Sequence, residues 1–156
     1  MSTSAESEIA QTLLKHPFFE GFEPAFVHAI SAKGVETRFG VDDLLAREGT
    51  EAELFYVVLE GKVALEIGSG DRPLLTVQTV GPGEVLGWSW LVPPHRWRFD
   101  ARAVKPSRVV ALDAEVLRRT LRTHPTWGFQ FMVRFMPVLA ERLENTRVQL
   151  LDIHAR

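Results

Sequence analysis

Two clusters of side chains near the middle of the chain are suited to ligand chemistry. Three of the four tryptophans, Trp88, Trp90 and Trp97, fall within ten residues. Indole rings in such a cluster either stack on a flat ligand or fill a pocket with their own bulk. The stretch from His95 to Arg108 is basic, since it contains one acidic residue, Asp100, and five cations: Arg96, Arg98, Arg102, Lys105 and Arg108. This charge pattern indicates either an anion site or a solvated strand face.

Alternation along the chain predicts which of these side chains point into the protein. Successive residues of a strand face opposite sides of the sheet. The apolar set, which would face inward, is Trp97, Phe99, Ala101 and Ala103. The arginines between them would then face solvent together with Asp100. A bulge or the Pro93-Pro94 turn could re-aim one arginine inward.

The elements that position these clusters follow one another in three stretches. Residues 1–34 have the period of helices, and residues 35–113 contain short apolar runs between glycine turns. Many short strands between turns predict a barrel or a double-sheet jelly roll, not a parallel α/β sheet. Residues 114–156 are helical again. The predicted fold is α+β but mainly β: a double-stranded β-helix (jelly roll) flanked by N-terminal helices and a long C-terminal dimerisation helix.

The last helix carries a heptad pattern. Pro125 suits its first turn, the helix could run to about Ile153, and Pro137 is expected to kink it. Seam residues recur at alternate steps of four and three: Met132, Met136, Leu139, Leu143, Thr146, Leu150 and Ile153. The seam is longer than a small roll can cover. It therefore favours a homodimeric coiled coil over a helix packed only on its own domain.

The composition limits the classes of function. With 18 Lys+Arg against 20 Asp+Glu, the net charge of −2 gives no global field for nucleic acid. The absence of cysteine excludes disulfides, thiolate nucleophiles and cysteine-ligated zinc. The chain does not begin with a secretory signal, and this absence predicts a cytoplasmic protein. No apolar stretch is long enough to cross a membrane.

Three glycine-containing segments together resemble the cyclic-nucleotide-binding domain, the sensor half of the catabolite-activator and fumarate–nitrate-regulator superfamily. Residues 40–49 (GVDDLLAREG) resemble the family's first hairpin, residues 54–63 (LFYVVLEGKV) its next signature, and residues 81–87 (GPGEVLG) the approach to its phosphate-binding cassette. Glycine takes positive φ without penalty, so its spacing records turn geometry. The resemblance runs from about Ile9 to Asp152 and implies a stand-alone sensor domain.

The resemblance implies a degenerate cassette at about residues 83–103. In that family a short helix follows the cassette glycine, and its backbone N–H groups meet the cyclic phosphate. Gly87 matches this glycine, but Trp88 stands where the family has a ribose-binding glutamate. The position of the family's phosphate-binding arginine falls on Trp97 or Arg98. The candidate ligand-binding residues of the roll are Gly87, Trp88, Ser89, Trp90, Arg96, Trp97 and Arg98.

The same resemblance adds two candidates on the long helix. Residues 142–147 (RLENTR) resemble the part of the family's helix whose threonine reaches the base, which makes Thr146 a candidate. A polar residue at a coiled-coil seam can equally set register and oligomeric state. Arg147, the second candidate, stands where the family often has a small hydroxyl residue.

These observations predict a single-domain regulatory sensor that binds a small ligand and signals as a homodimer to a partner protein. The resemblance implies cAMP, cGMP or a related anion as that ligand. One alternative is a ligand-free dimeric interaction module with an occluded cassette. Another is a DNA-binding regulator truncated before its helix-turn-helix. Direct contact with nucleic acid is not expected, since no residues for that module follow the helix, and contact with a membrane is not expected either.

Catalysis is not expected. No nucleophile elbow, phosphate loop or dinucleotide fingerprint occurs in the sequence. The histidines that a cupin-like metal site would need are scattered and lie mostly outside the predicted strands: His16, His28, His95, His124 and His154. No metal or certain cofactor is therefore predicted.

Overall fold

The computed structural model of the chain describes residues 2–68 and 74–155, with the side chains of all but residues 2–4, 149 and 153–155. The N-terminal part contains α1 (Ser2–Leu14), a 3-10 turn (Pro17–Phe19) and α2 (Pro24–Ile30). The strands that follow are β1 (Val35–Phe39), β2 (Leu44–Ala46), β3 (Leu54–Ile67), β4 (Leu75–Val80), β5 (Val85–Leu86) and β6 (Asp100–Asp113). The C-terminal helices are α3 (Ala114–Thr123) and α4 (Pro125–Ala155).

The sheet is built around its two long strands. β3 and β6 are antiparallel and pair from Leu54 opposite Asp113 to Glu66 opposite Asp100. β1 pairs with the C-terminal part of β6, and β5 pairs with the N-terminal part of β3. β2 and β4 flank the other ends of the same two strands. Each long strand therefore serves both halves of a roll, and the predicted fold class is confirmed.

The long strands bend where they pass from one half of the roll to the other. Their register shifts at three points between Val58 and Val63. Gly61 lies within this bend with a φ of +99°. A Cβ atom at Gly61 would lie 2.6 Å from the carbonyl oxygen of Pro106. The positive φ and the close approach both require glycine at this position.

Aromatic rings fill the space between the roll and the helices. Phe131 and Phe135 of α4 have no exposed surface. The ring centroid of Phe131 lies 5.7 Å from that of Phe18 and 6.1 Å from that of Phe55. Edge-to-face pairs of this kind add about 0.5–1.5 kcal/mol each to the effect of burial alone. This cluster fixes the first part of α4 on the roll.

Polar contacts hold the N-terminal segment in place. Arg134 of α4 donates hydrogen bonds of 2.6–3.1 Å to carbonyl oxygens within residues 17–20. Nδ1 of His16 accepts a hydrogen bond from the N–H of Phe18, so Nε2 carries the proton and donates it to the carbonyl oxygen of Val58 at 2.9 Å. Burial lowers the pKa of His16, which favours this neutral ring.

α4 is a helix of 31 residues that continues through Pro137. Its first part packs on the core, and Leu139 still contacts it. Beyond Leu139, Arg142 is the one buried side chain on α4 among those that the structure describes. None of the described helices is long and apolar enough to cross a membrane. Within the same residues, no group of three or more histidine or carboxylate side chains is placed to hold a metal ion.

Candidate functional site

The segment after β5, residues 87–98, forms what we call the cassette turn. Gly87 opens it with a φ of +88°, a left-handed conformation that favours glycine. The N–H groups of Leu91 and Val92 both donate to the carbonyl oxygen of Trp88, at 3.0 and 3.3 Å. A short helical turn therefore follows the glycine, at the place where the resemblance implies one.

Trp97 fills the space directly over Gly87. A Cβ atom at Gly87 would lie 2.7 Å from Cζ3 of Trp97. The indole is 5% exposed, and it stacks on Tyr56 with ring centroids 6.2 Å apart and an interplanar angle of 21°. The resemblance implies that a cyclic phosphate would meet the backbone next to this glycine. In this chain an indole ring lies against it.

Trp90 points from the cassette turn into the core. It has no exposed surface, and its ring centroid lies 5.0 Å from that of Phe55 and 5.8 Å from that of Phe131. Its Nε1 donates to the carbonyl oxygen of Gly87 at 3.2 Å. Arg118 of α3 donates to the carbonyl oxygen of Trp90 at 2.6 Å. Trp90 therefore anchors the turn to the helices.

The arginines of the cassette turn lie on its surface, as strand alternation predicts. Arg96 is exposed and donates to the carbonyl oxygen of Gly49 at 2.9 Å. Arg98 is also exposed, and its Cζ lies 5.3 Å from the ring centroid of half-buried Trp88, a cation–π distance. The predicted inward set is confirmed, because every member is at most 5% exposed: Trp97, Phe99, Ala101 and Ala103.

Ion pairs neutralise the next two arginines of the basic stretch. Arg102 donates to both carboxylate oxygens of Glu66, at 3.0 and 2.7 Å, and to Asp42 at 2.7 Å. The bonds to Glu66 and then to Asp42 raise the pKa of Arg102 above its ordinary value. Arg108 donates to Glu60 at 2.8 Å. Part of the positive charge counted from the sequence is therefore compensated within the sheet.

A buried charge reaches the site from α4. Arg142 is 8% exposed, its Nε donates to Oε1 of Gln78 on β4 at 2.8 Å, and its Cζ lies 5.4 Å from the ring centroid of Phe99. Both of its Nη atoms are buried and lack a hydrogen-bond partner within the described residues. Burial lowers the pKa of Arg142 to about 10, so the guanidinium is charged at neutral pH.

Phe99 connects Arg142 to the cassette turn. Its Cζ would lie 3.8 Å from a Cβ atom at Gly87, and its ring centroid is 5.8 Å from that of Trp97. Ser89, two residues after the glycine, is fully buried, and its Oγ is unpaired within the described residues. Phe99 thus contacts Arg142 on one side and Gly87 and Trp97 of the cassette turn on the other. Arg142 is not among the candidates predicted from the sequence.

The two candidates on the long helix make their observed contacts within α4. Thr146 is half-buried, and its Oγ1 donates to the carbonyl oxygen of Arg142 at 3.0 Å. Arg147 is exposed, and its Nη1 lies 3.6 Å from a carboxylate oxygen of Glu144. The hydroxyl of Thr146 therefore forms its hydrogen bond within its own helix in this structure.

The predicted heptad seam is divided between two faces of α4. Met132 and Leu139 pack against the core of their own domain, whereas Met136, Leu143 and Leu150 are 52–71% exposed. Thr146 is half-buried, and the side chain of Ile153 lies outside the described residues. The exposed face, which we call the outer stripe, contains Phe129, Val133, Met136, Ala140, Leu143, Arg147 and Leu150. It keeps the steps of four and three but runs along a different line of the helix from the predicted seam.

The sequence matches a domain family and a transcriptional regulator. The sequence profile described as "Cyclic nucleotide-binding domain" matches residues 36–124. The CRP-like cAMP-activated global transcriptional regulator of Mycobacterium tuberculosis is 25% identical over 145 residues, or 92% of this chain. The chain spans 62% of the length of that relative.

Solved structures share the fold. A candidate cyclic nucleotide-binding protein from Geobacter metallireducens GS-15 has 28% identity and a TM-score of 0.75, and the match covers 86% of this chain and 97% of that one. The sensor domain of the transcriptional regulator DNR from Pseudomonas aeruginosa has 16% identity and a TM-score of 0.72, with 89% and 93% covered. The profile covers more than half of the chain, and the chain belongs to the cyclic nucleotide-binding domain family.

Proposed function

We propose that this protein is a homodimeric regulatory sensor that binds a small anionic ligand in its roll and signals to a partner protein through α4. The placement of two neighbouring residues carries the proposal. Arg142 is 8% exposed and contacts Phe99 beside the cassette turn. Leu143 is 71% exposed and points away from the roll. A movement of α4 would therefore change the contact beside the cassette turn and the exposed face around Leu143 at the same time.

The outer stripe supports a second copy of this chain as the partner of α4. It runs from Phe129 to Leu150, about 33 Å at 1.5 Å per residue. Its large apolar side chains are 52–71% exposed, which is costly on an isolated monomer. A seam with steps of four and three is self-complementary in a parallel two-stranded coiled coil. Dimerisation would bury the apolar side chains of the stripe, which lie on both sides of exposed Arg147.

The family membership makes cAMP and cGMP the first ligands to test. Two features of the cassette turn favour a related anion instead. Trp88 stands at the position where the family has the ribose-binding glutamate, and Trp97 lies over Gly87 where the cyclic phosphate would be expected. The cAMP activation named for the curated relative belongs to that protein.

The signal would be a shift between two positions of α4. In the structure Arg142 is bonded to Gln78 of β4, which closes α4 on the roll. A ligand that binds an open position more tightly would shift the population toward it. The surface altered by this shift would be read by another protein. We assign no catalytic step to the chain, since its family is of regulatory type.

A thermal-shift screen tests the proposal. The panel is cAMP, cGMP, cyclic dinucleotides, ATP and inorganic phosphate, with tryptophan emission followed in parallel and sodium chloride at matched ionic strength as the control. A ligand at 100 times its dissociation constant adds about 2.7 kcal/mol, which raises the melting temperature by about 5–10 °C. A panel in which no member exceeds the salt control would contradict the sensor function.

The filled cassette favours one second candidate function, a ligand-free dimeric interaction module. Trp97 already occupies the space over Gly87 and is 5% exposed. Under this function the protein would form the α4 dimer but show no response in the thermal-shift screen. The two Nη atoms of Arg142, buried and unpaired within the described residues, favour the sensor, because a ligand would supply acceptors that lower the cost of this buried charge.

A further inference from the structure

We infer that Arg142, and not an arginine of the cassette turn, binds the anionic group of the ligand. This group is an oxoanion, and two of its oxygens accept hydrogen bonds from the two Nη atoms at the end of the guanidinium fork. The inference rests on the proposed sensor function and names its recognition residue and its ligand chemistry. Phosphate and carboxylate groups share the required pair of acceptor oxygens.

The burial of Arg142 is the first argument. A charged group taken out of water is costly unless it is paired and hydrogen-bonded. Both Nη atoms are buried and unpaired within the described residues. Position 142 continues the inner face of α4, where Phe131, Phe135 and Val138 precede it at steps of four and three. An apolar side chain would pack at this position without that cost, and an anionic ligand would supply the acceptors that the described residues do not provide.

The orientation of the guanidinium is the second argument. Its Nε is already bonded to Gln78, so the free donors are the two Nη atoms at the end of the fork. Two parallel N–H donors match two oxygens of one phosphate or carboxylate. The ring of Phe99 lies 5.4 Å from Cζ and supports the guanidinium from one side. In this closed position only the two Nη atoms have donors left for an anion.

The arginines of the cassette turn are placed less well for this role. Arg96 is exposed and bonded to the carbonyl oxygen of Gly49. Arg98 is exposed and lies over Trp88. Between them Trp97 fills the space over Gly87. A ligand beside that glycine would first have to displace an indole.

Access to the fork requires a movement of α4. The Nη atoms have no contact with solvent in this structure. The hydrogen bond from Arg142 to Gln78 joins this part of α4 to β4. An anion would reach the fork when this part of the helix moves off β4. Leu143 would move with it, which connects ligand entry to the outer stripe.

The test measures binding by calorimetry to the full chain and to four variants. The probes are cAMP, cGMP, inorganic phosphate, pyrophosphate and succinate, which separate phosphate from carboxylate recognition. Arg142→Met removes the charge, and Arg142→Lys keeps it but removes the fork. Arg98→Met is the control in the cassette turn, and Arg119→Met is the control on the exposed face of α3, away from the cassette turn and the outer stripe.

The probe that binds the wild type is expected to bind both Arg142 variants at least about tenfold more weakly and both controls within about twofold. Without ligand, Arg142→Met is expected to melt at a higher temperature than wild type, because it removes a buried charge whose Nη donors are unpaired within the described residues. Binding lost in Arg98→Met but kept in both Arg142 variants would overturn the inference and leave the sensor function standing. Failure of every probe to bind the wild type would overturn both.

Discussion

Replacing Leu143 with lysine is expected to halve the mass of the protein in solution. Leu143 is 71% exposed and lies in the outer stripe between Ala140 and Arg147. In a coiled-coil dimer this position would be buried against its own copy. Lysine would place two like charges there, and a buried unpaired charge costs several kcal/mol. Size-exclusion chromatography with light scattering gives the mass directly.

Gln130→Lys is the matched control for Leu143→Lys. Gln130 is exposed on the same helix, lies outside the stripe, and its replacement adds the same charge. The control is expected to keep the mass of the wild type. A wild type that is monomeric at every concentration, or a Leu143→Lys variant with unchanged mass, would contradict the α4 dimer.

Replacing Trp97 with alanine is expected to destabilise the fold by about 3–5 kcal/mol, the usual cost of truncating a buried large aromatic side chain. Trp97 is 5% exposed, stacks on Tyr56 and packs on Gly87. For a domain of this size the melting temperature would fall by about 6–20 °C. Urea unfolding followed by circular dichroism gives the free energy of unfolding.

Trp88→Ala is the control for Trp97→Ala, since it removes the same side chain from the same turn. Trp88 is only half-buried and contacts Arg98 on the surface. Its loss is expected to cost about 1–2 kcal/mol, since less surface returns to water. Equal costs for the two variants would mean that the indole of Trp97 does not fill the cassette as the structure has it.

The roll could be predicted because its determinants are local. Glycine turns and strand alternation depend on residues close in sequence. The alternation also predicts the buried residues from Trp97 to Ala103 correctly, whereas Asp100 and Arg102 between them are half-buried and not fully exposed. The prediction that cassette arginines face solvent has the same basis, and the observed positions of Arg96 and Arg98 agree with it.

The face of α4 that meets the roll could not be predicted from its period. Two apolar stripes with the same steps run along this helix, one through Phe131 and Phe135 and one through Phe129 and Val133. Which stripe packs inward is decided by aromatic partners distant in sequence, such as Phe18 and Phe55. The predicted seam therefore mixed residues of both faces.

Arg142 was missed for a related reason. A charged residue is ordinarily assigned to the surface, because burial without a partner is costly. The signal was present in the inner stripe, where arginine follows Phe131, Phe135 and Val138 at the helical spacing. It becomes visible once the inward face of α4 is known. Trp90 was likewise grouped with the ligand candidates, although it packs into the core.

The central claim is that α4 carries both the ligand contact and the dimer surface, and sedimentation equilibrium tests it most directly. The dimer dissociation constant is measured in buffer and with saturating cAMP, cGMP or inorganic phosphate, for the wild type and for Arg142→Met. Linkage requires that a ligand coupled to the dimer changes this constant, typically by about 5–150-fold. We expect such a change in the wild type and none in Arg142→Met. A dissociation constant that stays the same while the wild type is shown by calorimetry to be saturated would contradict the account.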